Sequence, residues 1–411
     1  MDERDVIFDW NADEAKRAPK SVRLHDETMR DGIQSPSIHD PAREQKHQIL
    51  RLLDQAGIHT TDVGLPGAGP RAYGDSQALV QQMVDEDLNI RATCAARTHP
   101  NDLRPIIEIS QATGLPVEVM AFLGSSPIRM YAEAWDVDKM EELTRTSTRM
   151  CVDAGLPFSF VTEDTVRSHP DTLRRLFEAA IEEGASCLIL CDTVGHATPQ
   201  GVTKLVQWTL DLLREHGVED SVRVDWHGHN DRGLSLINTM AAIDAGCDRV
   251  HGTILGIGER VGNTSIDQVL VNLKLLGYPT GDLSVLGELV KLVSEACHVR
   301  VPNNYPVFGE DAFKTGTGVH AAAVIKAKMK GDDWLADRIY SGVPAGWFGL
   351  RQEIAIGHQS GLSNIRFWLS ERELPAHDGL VQAIFDHAKT TNRLLETHEV
   401  MSIVERHSTA P

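Results

Sequence analysis

Eight short runs rich in β-branched and apolar residues recur along the first part of the chain, each followed by a longer stretch with helical spacing. The runs fall at residues 22–25, 60–63, 90–95, 117–121, 158–162, 187–191, 222–227 and 249–252. Helical patterns occupy 41–56, 76–86, 103–113, 139–154, 170–183, 198–215 and 235–245. The segments DQAGI, EEGAS and DAGCD each set a glycine where a helix stops before the next strand. Strand and helix in alternation predict a parallel sheet. Eight such units predict an α/β fold closed into a (β/α)8 TIM barrel rather than a doubly wound sheet. After about residue 267 the alternation ends. Segments 269–276 and 285–299 read as amphipathic helices, followed by a Pro/Gly-broken stretch. A helix from about His320, a strand and turn at IAIGHQSG and a final helix from about Gly379 complete the pattern. The expected organisation is an N-terminal arm at 1–20, a barrel domain at 21–290 and a small α-rich C-terminal appendage at 291–411.

Composition limits the partners. The 411 residues are 41% hydrophobic and 24% charged, as in a globular protein with a sizeable core. A net charge of -19 argues against nucleic acid or an anionic membrane as partner, while leaving room for a locally basic site. No apolar run reaches membrane-spanning length, and Met1-Asp2-Glu3-Arg4-Asp5 does not open a signal peptide. The six cysteines are scattered, with Cys187 and Cys191 flanking an apolar strand, which predicts buried free thiols and a cytoplasmic location.

Barrel chemistry collects at the C-terminal ends of the strands, so candidate site residues belong at the strand exits. The first exit reads Asp26-Glu27-Thr28-Met29-Arg30-Asp31-Gly32-Ile33-Gln34. The next exits bring Asp62, Arg97, Arg129, Glu163 and Thr193. The seventh carries His227-Gly228-His229-Asn230-Asp231, and the eighth leads into GIGERVGN at 256–263. Residues i and i+2 of a strand face the same way, so His227 and His229 share a face. With the carboxylate of Asp31 they make a facial donor set for Mg, Mn, Zn or Fe(II) that leaves positions open for substrate. Singly, each has a plain structural explanation: polar ends of a strand, a turn cap, or an Arg30–Asp31 ion pair. Their convergence on one rim favours chemistry.

DETMRDGIQ, HGHNDRGLSLIN and GIGERVGNTSIDQ, with VTEDTVRSHPD, CDTVGHATP and GTGVHAAAVIK, resemble the signature elements of the DRE-TIM metallolyase family. This group contains 2-isopropylmalate, homocitrate and citramalate synthases and 3-hydroxy-3-methylglutaryl-CoA lyase. The resemblance covers about residues 21–370. It implies a divalent metal on Asp31, His227 and His229, with Asn263 as a further ligand. It implies that Arg30 polarises a ketone oxygen, that Thr193 donates to a substrate carboxylate, and that Glu163, His320 and Tyr340 form the acid/base group. Gln34, Asp62, Arg97 and Arg129 stand as further candidate substrate contacts.

The loop LGIGERVGN lacks the cysteine of the lyase branch and so resembles the condensing branch. The implied reaction is a Claisen-type condensation of acetyl-CoA with a 2-oxo acid. The C-terminal segment resembles the synthases' middle subdomain, which implies a homodimer whose appendage, with His320 and Tyr340, completes the neighbour's site. Two departures stand out: Asp62 where the family usually has Glu, and Arg129 where many synthases have His. Arg129 suggests an acidic acceptor such as oxaloacetate, 2-oxoglutarate or a phosphono analogue. Against that, Arg129 has Glu133 and Asp136 nearby to pair with, or a CoA phosphate. The competing functions are retro-Claisen cleavage of an acyl-CoA, an isopropylmalate- or citramalate-type synthase with an apolar 2-oxo acid, and a non-catalytic binding barrel.

Overall fold

The computed structural model describes residues 6–8, 10 and 21–408. The chain forms two compact units, Met1–Asp282 with Glu288–Val299, and Leu283–Gly287 with Arg300–Pro411. The expected arm at 1–20 falls almost entirely outside the described residues.

The first unit is the barrel. Its strands are β1 (Arg23–Asp26), β2 (Thr60–Asp62), β3 (Arg91–Arg97), β4 (Glu118–Gly124), β5 (Phe158–Glu163), β6 (Cys187–Asp192), β7 (Arg223–Gly228) and β8 (Arg249–Gly252). They pair in sequence order and close into a barrel, so the fold read from the alternation is the one observed. Closure is parallel, with Arg23 opposite Arg249 and Asp26 opposite Gly252. The outer helices are α1 (Arg43–Gln55), α2 (Pro70–Asp85), α3 (Pro100–Thr113), α4 (Pro127–Glu133), α5 (Val137–Asp153), α6 (Pro170–Glu182), α7 (Pro199–Glu215), α8 (Ser235–Ala245) and α9 (Ile266–Leu275). A further helix, α10 (Leu286–Cys297), belongs to this unit from Glu288 onward.

Helix starts depart from the apolar pattern where capping chemistry takes over. The α2 helix begins at Pro70, six residues before the expected 76, because proline is preorganised for a first helical position. The α3 helix likewise begins at Pro100, where the His99 side chain accepts from Asn101 N. The α4 helix was not expected: Ser126 caps it by accepting from Arg129 N, and Pro127 opens it. Arg129 therefore lies on a helix rather than in a loop.

The barrel interior divides by chemistry. Met120, Cys187, Ile189 and Cys191, with Val161 against them, make an apolar column along β4–β6. Across from it, inward positions of β7, β8 and β1 carry Asp225, His227, Arg249, His251 and His25, all buried. Arg249 ties this side together. It donates to Asp225 Oδ2 at 2.5 Å, to Glu118 Oε1 at 2.5 Å and Oε2 at 2.9 Å, and to Thr60 Oγ1 at 3.2 Å. All six cysteines are free and buried, in keeping with the pattern around Cys187 and Cys191.

The second unit contains β9 (Lys314–Thr315), parallel to β10 (Glu353–Ile354), and five helices among the described residues. These are α11 (Gly318–Met329), α12 (Asp333–Arg338), α13 (Leu362–Ser370), α14 (Asp378–Lys389) and α15 (Thr397–Ser408). Trp368, Leu369, Leu380, Ile384 and Ile403 are at the centre of its larger apolar core. Ala321, Val324, Ile325 and Ile354 form the smaller. Where one closing helix was expected from about Gly379, α14 and α15 both stand. No described helix is long and apolar enough to cross a membrane.

Candidate active site

The seventh strand presents the imidazoles. His227 lies inside β7 and His229 one residue beyond its end, where it bridges antiparallel to Asn263. Their rings sit on one side with centroids 5.0 Å apart. Gly195, at φ 58°, lets the sixth exit loop close on this segment: a Cβ there would lie 3.0 Å from His229 O and 2.6 Å from Asp231 N. The first exit folds back on itself, with Arg30 N and Gly32 N both donating to Glu27 O, and delivers Asp31 to the same place. Asp31 Oδ2 is 3.7 Å from His229 Nε2 and 4.0 Å from His227 Nε2. The donor atoms of all three lie within 4.8 Å of one another, and all three residues are buried.

This donor set fits a divalent cation. Asp31 Oδ2 and Asn263 Oδ1 are buried acceptors with no hydrogen-bond partner, and a buried acceptor left bare is costly unless something fills the role. Asn263 Nδ2 donates to Ile257 O at 3.0 Å, which turns the amide and leaves Oδ1 as its free end. A Cβ on Gly258 would fall 2.2 Å from that Nδ2, so only glycine admits this asparagine.

Arg30 is pinned by three carboxylates. Nε donates to Asp62 Oδ2 at 2.7 Å, Nη1 to Asp31 Oδ1 at 2.9 Å and Nη2 to Glu27 Oε1 at 3.0 Å. Asp62, despite its short side chain, thus reaches Arg30 directly. Burial pushes the Asp62 carboxyl up to about 6 against the opposing pull of Arg30. Glu27 is also disfavoured as an anion by burial, but His227 and Arg30 outweigh this and hold it well below the usual carboxylate range. Burial lowers His227, yet Glu27 and Asp31 outweigh that and raise it. His229 is lowered to about 4 by burial and by the charge of His227.

A cavity of about 150 Å³ opens beside this cluster. Its lining includes the polar residues Arg30, Asp31, His227, His229, Gln34, Glu163 and Thr193, and the apolar residues Leu65, Met120, Phe122, Val161 and Ile189. Thr193 Oγ1 accepts from Asp164 N at 2.8 Å, so its hydroxyl proton remains available to donate. Burial raises the Glu163 carboxyl, with Arg129 opposing.

Not every candidate converges here. The Arg97 side chain is 67% exposed and forked onto Asp102 at 2.7 and 2.8 Å, outside the cavity lining. Arg129 reaches Glu163 Oε2 at 3.4 Å but also Glu133 Oε1 at 3.3 Å, and it too lies outside the lining. His320 and Tyr340 lie in the second unit, where their rings pair at 4.4 Å. Residues without an assigned role also stand in the lining, among them Glu27 and His251. Their signal was there: an acidic residue just past β1 and a histidine inside β8 fall in phase with the inward-facing His25 and Arg249.

A closed parallel barrel with a buried carboxylate, two imidazoles and a pinned guanidinium at its C-terminal rim is the build of a barrel enzyme. Residues 21–293 match the HMGL-like family, and the chain belongs to it. It is 30% identical over 375 residues to a homocitrate synthase of Methanothermobacter thermautotrophicus, covering 90% of this chain and 88% of that one. A probable 2-isopropylmalate synthase and a putative (R)-citramalate synthase of Methanopyrus kandleri are each 32% identical. These matches cover 86% and 88% of this chain, and 66% and 67% of the relatives. Among solved structures, the HMG-CoA lyase of Bacillus subtilis aligns with a TM-score of 0.56 at 20% identity, over 67% of this chain and 94% of that one. That likeness bears on the fold.

Proposed function

We propose that the protein condenses acetyl-CoA with a 2-oxo acid to give a 2-hydroxy-2-carboxymethyl acid and free CoA. The observation that carries the reading is the guanidinium of Arg30 fixed beside the Asp31–His227–His229 set, in the lining of one cavity. Relatives at 30–32% identity are named as synthases of this kind, whereas the lyases are likenesses of fold.

Asp31, His227 and His229, with Asn263 Oδ1, would hold a divalent metal (Mg, Mn or Zn). When bound, it supplies a Lewis acid and a template for the ketone and carboxylate oxygens of the 2-oxo acid. Arg30 donates to the ketone oxygen and stabilises the alkoxide that develops on it. The Thr193 hydroxyl donates to the substrate carboxylate, and Gln34 stands beside the same cavity. Glu163, whose proton affinity burial has raised, belongs with His320 and Tyr340 to the acid/base group. A base takes a proton from the acetyl methyl, and the new carbanion bonds to the ketone carbon. Water then splits the thioester, releasing the CoA thiol and a carboxylate. In this reading the catalytic domain is 21–290, and 291–411 of one protomer completes the site of its partner in a homodimer. The free buried thiols suit a cytoplasmic setting.

Two observations bear on the acceptor. Arg129, beside Glu163, offers an acidic 2-oxo acid a second cation, though it is shared between two carboxylates. The apolar lining residues Leu65, Met120, Phe122 and Val161 favour an apolar acceptor of the isopropylmalate or citramalate type. The test is purified protein with Mg2+ or Mn2+, acetyl-CoA and a panel of 2-oxo acids, following free thiol. Thiol release that requires a 2-oxo acid is the expected result, and Arg129→Leu should cut kcat/KM for acidic acceptors alone. Release with no acceptor dependence, or cleavage of a 3-hydroxyacyl-CoA to acetyl-CoA instead, overturns the reading.

A further inference from the structure

Glu27, just past β1, touches several members of the site at once. Its Oε1 accepts from Arg30 Nη2 at 3.0 Å and from His251 Nδ1 at 3.1 Å, and lies 3.7 Å from His25 Nε2. Its Oε2 lies 2.7 Å from His227 Nδ1, an ion-pair contact without the alignment of a hydrogen bond. His251 is held from behind by Asp225 Oδ2, 3.1 Å from its Nε2, and Asp225 by Arg249. His25 is held by Thr60, with Nδ1 2.8 Å from Oγ1. Glu27 therefore stands at the top of a buried chain of partners that runs down the charged side of the barrel.

His25, Glu27 and His251 also lie close enough to suggest a second cation, with donor atoms within 4.8 Å. Electrostatics argue against it. Glu27 Oε1 is already committed to Arg30 and His251, and a cation there would sit against a guanidinium only 3.0 Å from that oxygen.

We propose that Glu27 is the positioning residue of the metal centre: it holds the Nδ1 edge of His227 and one arm of Arg30, and His251 holds Glu27. A carboxylate oxygen 2.7 Å from Nδ1 attracts an N–H there and repels a lone pair, so it favours the proton on His227 Nδ1 and leaves the Nε2 lone pair facing Asp31 and His229. Carboxylates behind a ligand imidazole fix its tautomer and orientation, and their loss costs roughly 10- to 100-fold in metal affinity. Glu27 acts through His227 and Arg30, and the proposal rests on the reading of Asp31, His227 and His229 as metal ligands.

The test is Co2+ titration of the full chain, followed by calorimetry and visible absorption, in wild type, His229→Ala, Glu27→Gln and Glu27→Asp. Wild type should bind Co2+ and His229→Ala should lose it. Glu27→Gln, which keeps the shape, should bind roughly 10- to 100-fold more weakly with altered d–d bands. Glu27→Asp, which keeps the charge, should recover part of the loss. A space-filling role would leave the amide variant like wild type, and Co2+ affinity and spectrum unchanged in Glu27→Gln overturn the proposal. Wild type without Co2+ binding, or His229→Ala binding normally, instead brings down the metal reading and this proposal with it. If Glu27→Gln does not fold by circular dichroism, His251→Asn serves. It leaves Glu27 without its support and should weaken Co2+ several-fold; unchanged binding there counts against the proposal.

Discussion

Replacing Arg249 by Met removes the buried guanidinium that ties Asp225 to Glu118 inside the barrel. Arg249 is 1% exposed and makes four contacts of 2.5–3.2 Å to Asp225, Glu118 and Thr60. Without it, Asp225 keeps His251 at 3.1 Å, and Glu118 keeps Arg223 at 3.1 Å and the hydroxyl of Ser159 at 2.5 Å. Two buried carboxylates are then left with weaker partners. Breaking a buried pair from one side costs about 3–5 kcal/mol, and the surviving partners place Arg249→Met toward the lower end. Burial opposes the anionic form of both acids, but Arg249, together with Arg223 and, at Asp225, His251, outweighs it and keeps their pKa values depressed. A depressed carboxylate stabilises the fold above its unfolded pKa and loses that contribution as pH falls through the folded value. With Arg249 gone, both acids favour the proton, so the deficit relative to wild type should be largest near pH 8 and shrink toward pH 5. Urea unfolding by circular dichroism measures this, with hydrogen exchange across 223–228 assigning the transition to the barrel. The triple variant Arg249→Met/Asp225→Asn/Glu118→Gln should recover most of the loss. A deficit below about 1 kcal/mol, or one that does not change with pH, refutes the reasoning.

Further outcomes follow from the same geometry. The His227→Ala/His229→Ala variant should lose bound divalent metal and activity together, as read by elemental analysis and thiol release; full occupancy would sink the ligand assignment. Arg30→Lys has one ammonium where three carboxylates expect a fork, so kcat should fall roughly 10²- to 10³-fold with the fold intact. Mixing Arg30→Ala with His320→Ala chains should restore activity if the second unit serves a partner's barrel, and a fully active monomer by sedimentation would end that idea. Asp26 is pushed by burial up to about 7, with Thr28 hydrogen bonds opposing. The folded state then binds the extra proton between about pH 4 and 7, and stability falls as pH rises through that window. Asp26→Asn should flatten that slope in urea titrations at pH 5 and 8; an unchanged slope would place the titration elsewhere.

The barrel was legible because parallel strands buried on both faces leave short β-branched runs, and glycines mark most of the helix ends before them. Helix starts were less so: Pro70, Pro100 and Ser126 act through capping, which apolar spacing does not register. At the site, same-face geometry paired His227 with His229, and the shared rim of strand exits added Asp31, which the fold brings beside them. Arg97 shows where such reasoning stops, since an exit position does not say that Asp102 in the following helix will take the side chain. Glu27 and His251 were passed over because they pair with each other across the length of the barrel sequence, adjacent only once β8 closes on β1.

That closure explains why structure and chemistry share residues here. A barrel interior must be filled, and on the β4–β6 side Met120, Ile189 and Cys191 fill it with apolar surface that continues into the lining of the cavity. On the other side the filling is ionic, and buried ions persist only when each is paired. Pairing runs upward from Glu118 to Arg249, Asp225, His251 and Glu27, and the last member is where His227 and Arg30 attach. Each link limits the orientation of the next, so the residues at the rim inherit their positions from the core. An uncharged substitute of similar volume for the lower links would fill the space without leaving a bare charge, and the triple variant is expected to fold on that account. It would not hold His251 against Glu27, and the geometry at the rim would lose its support from below.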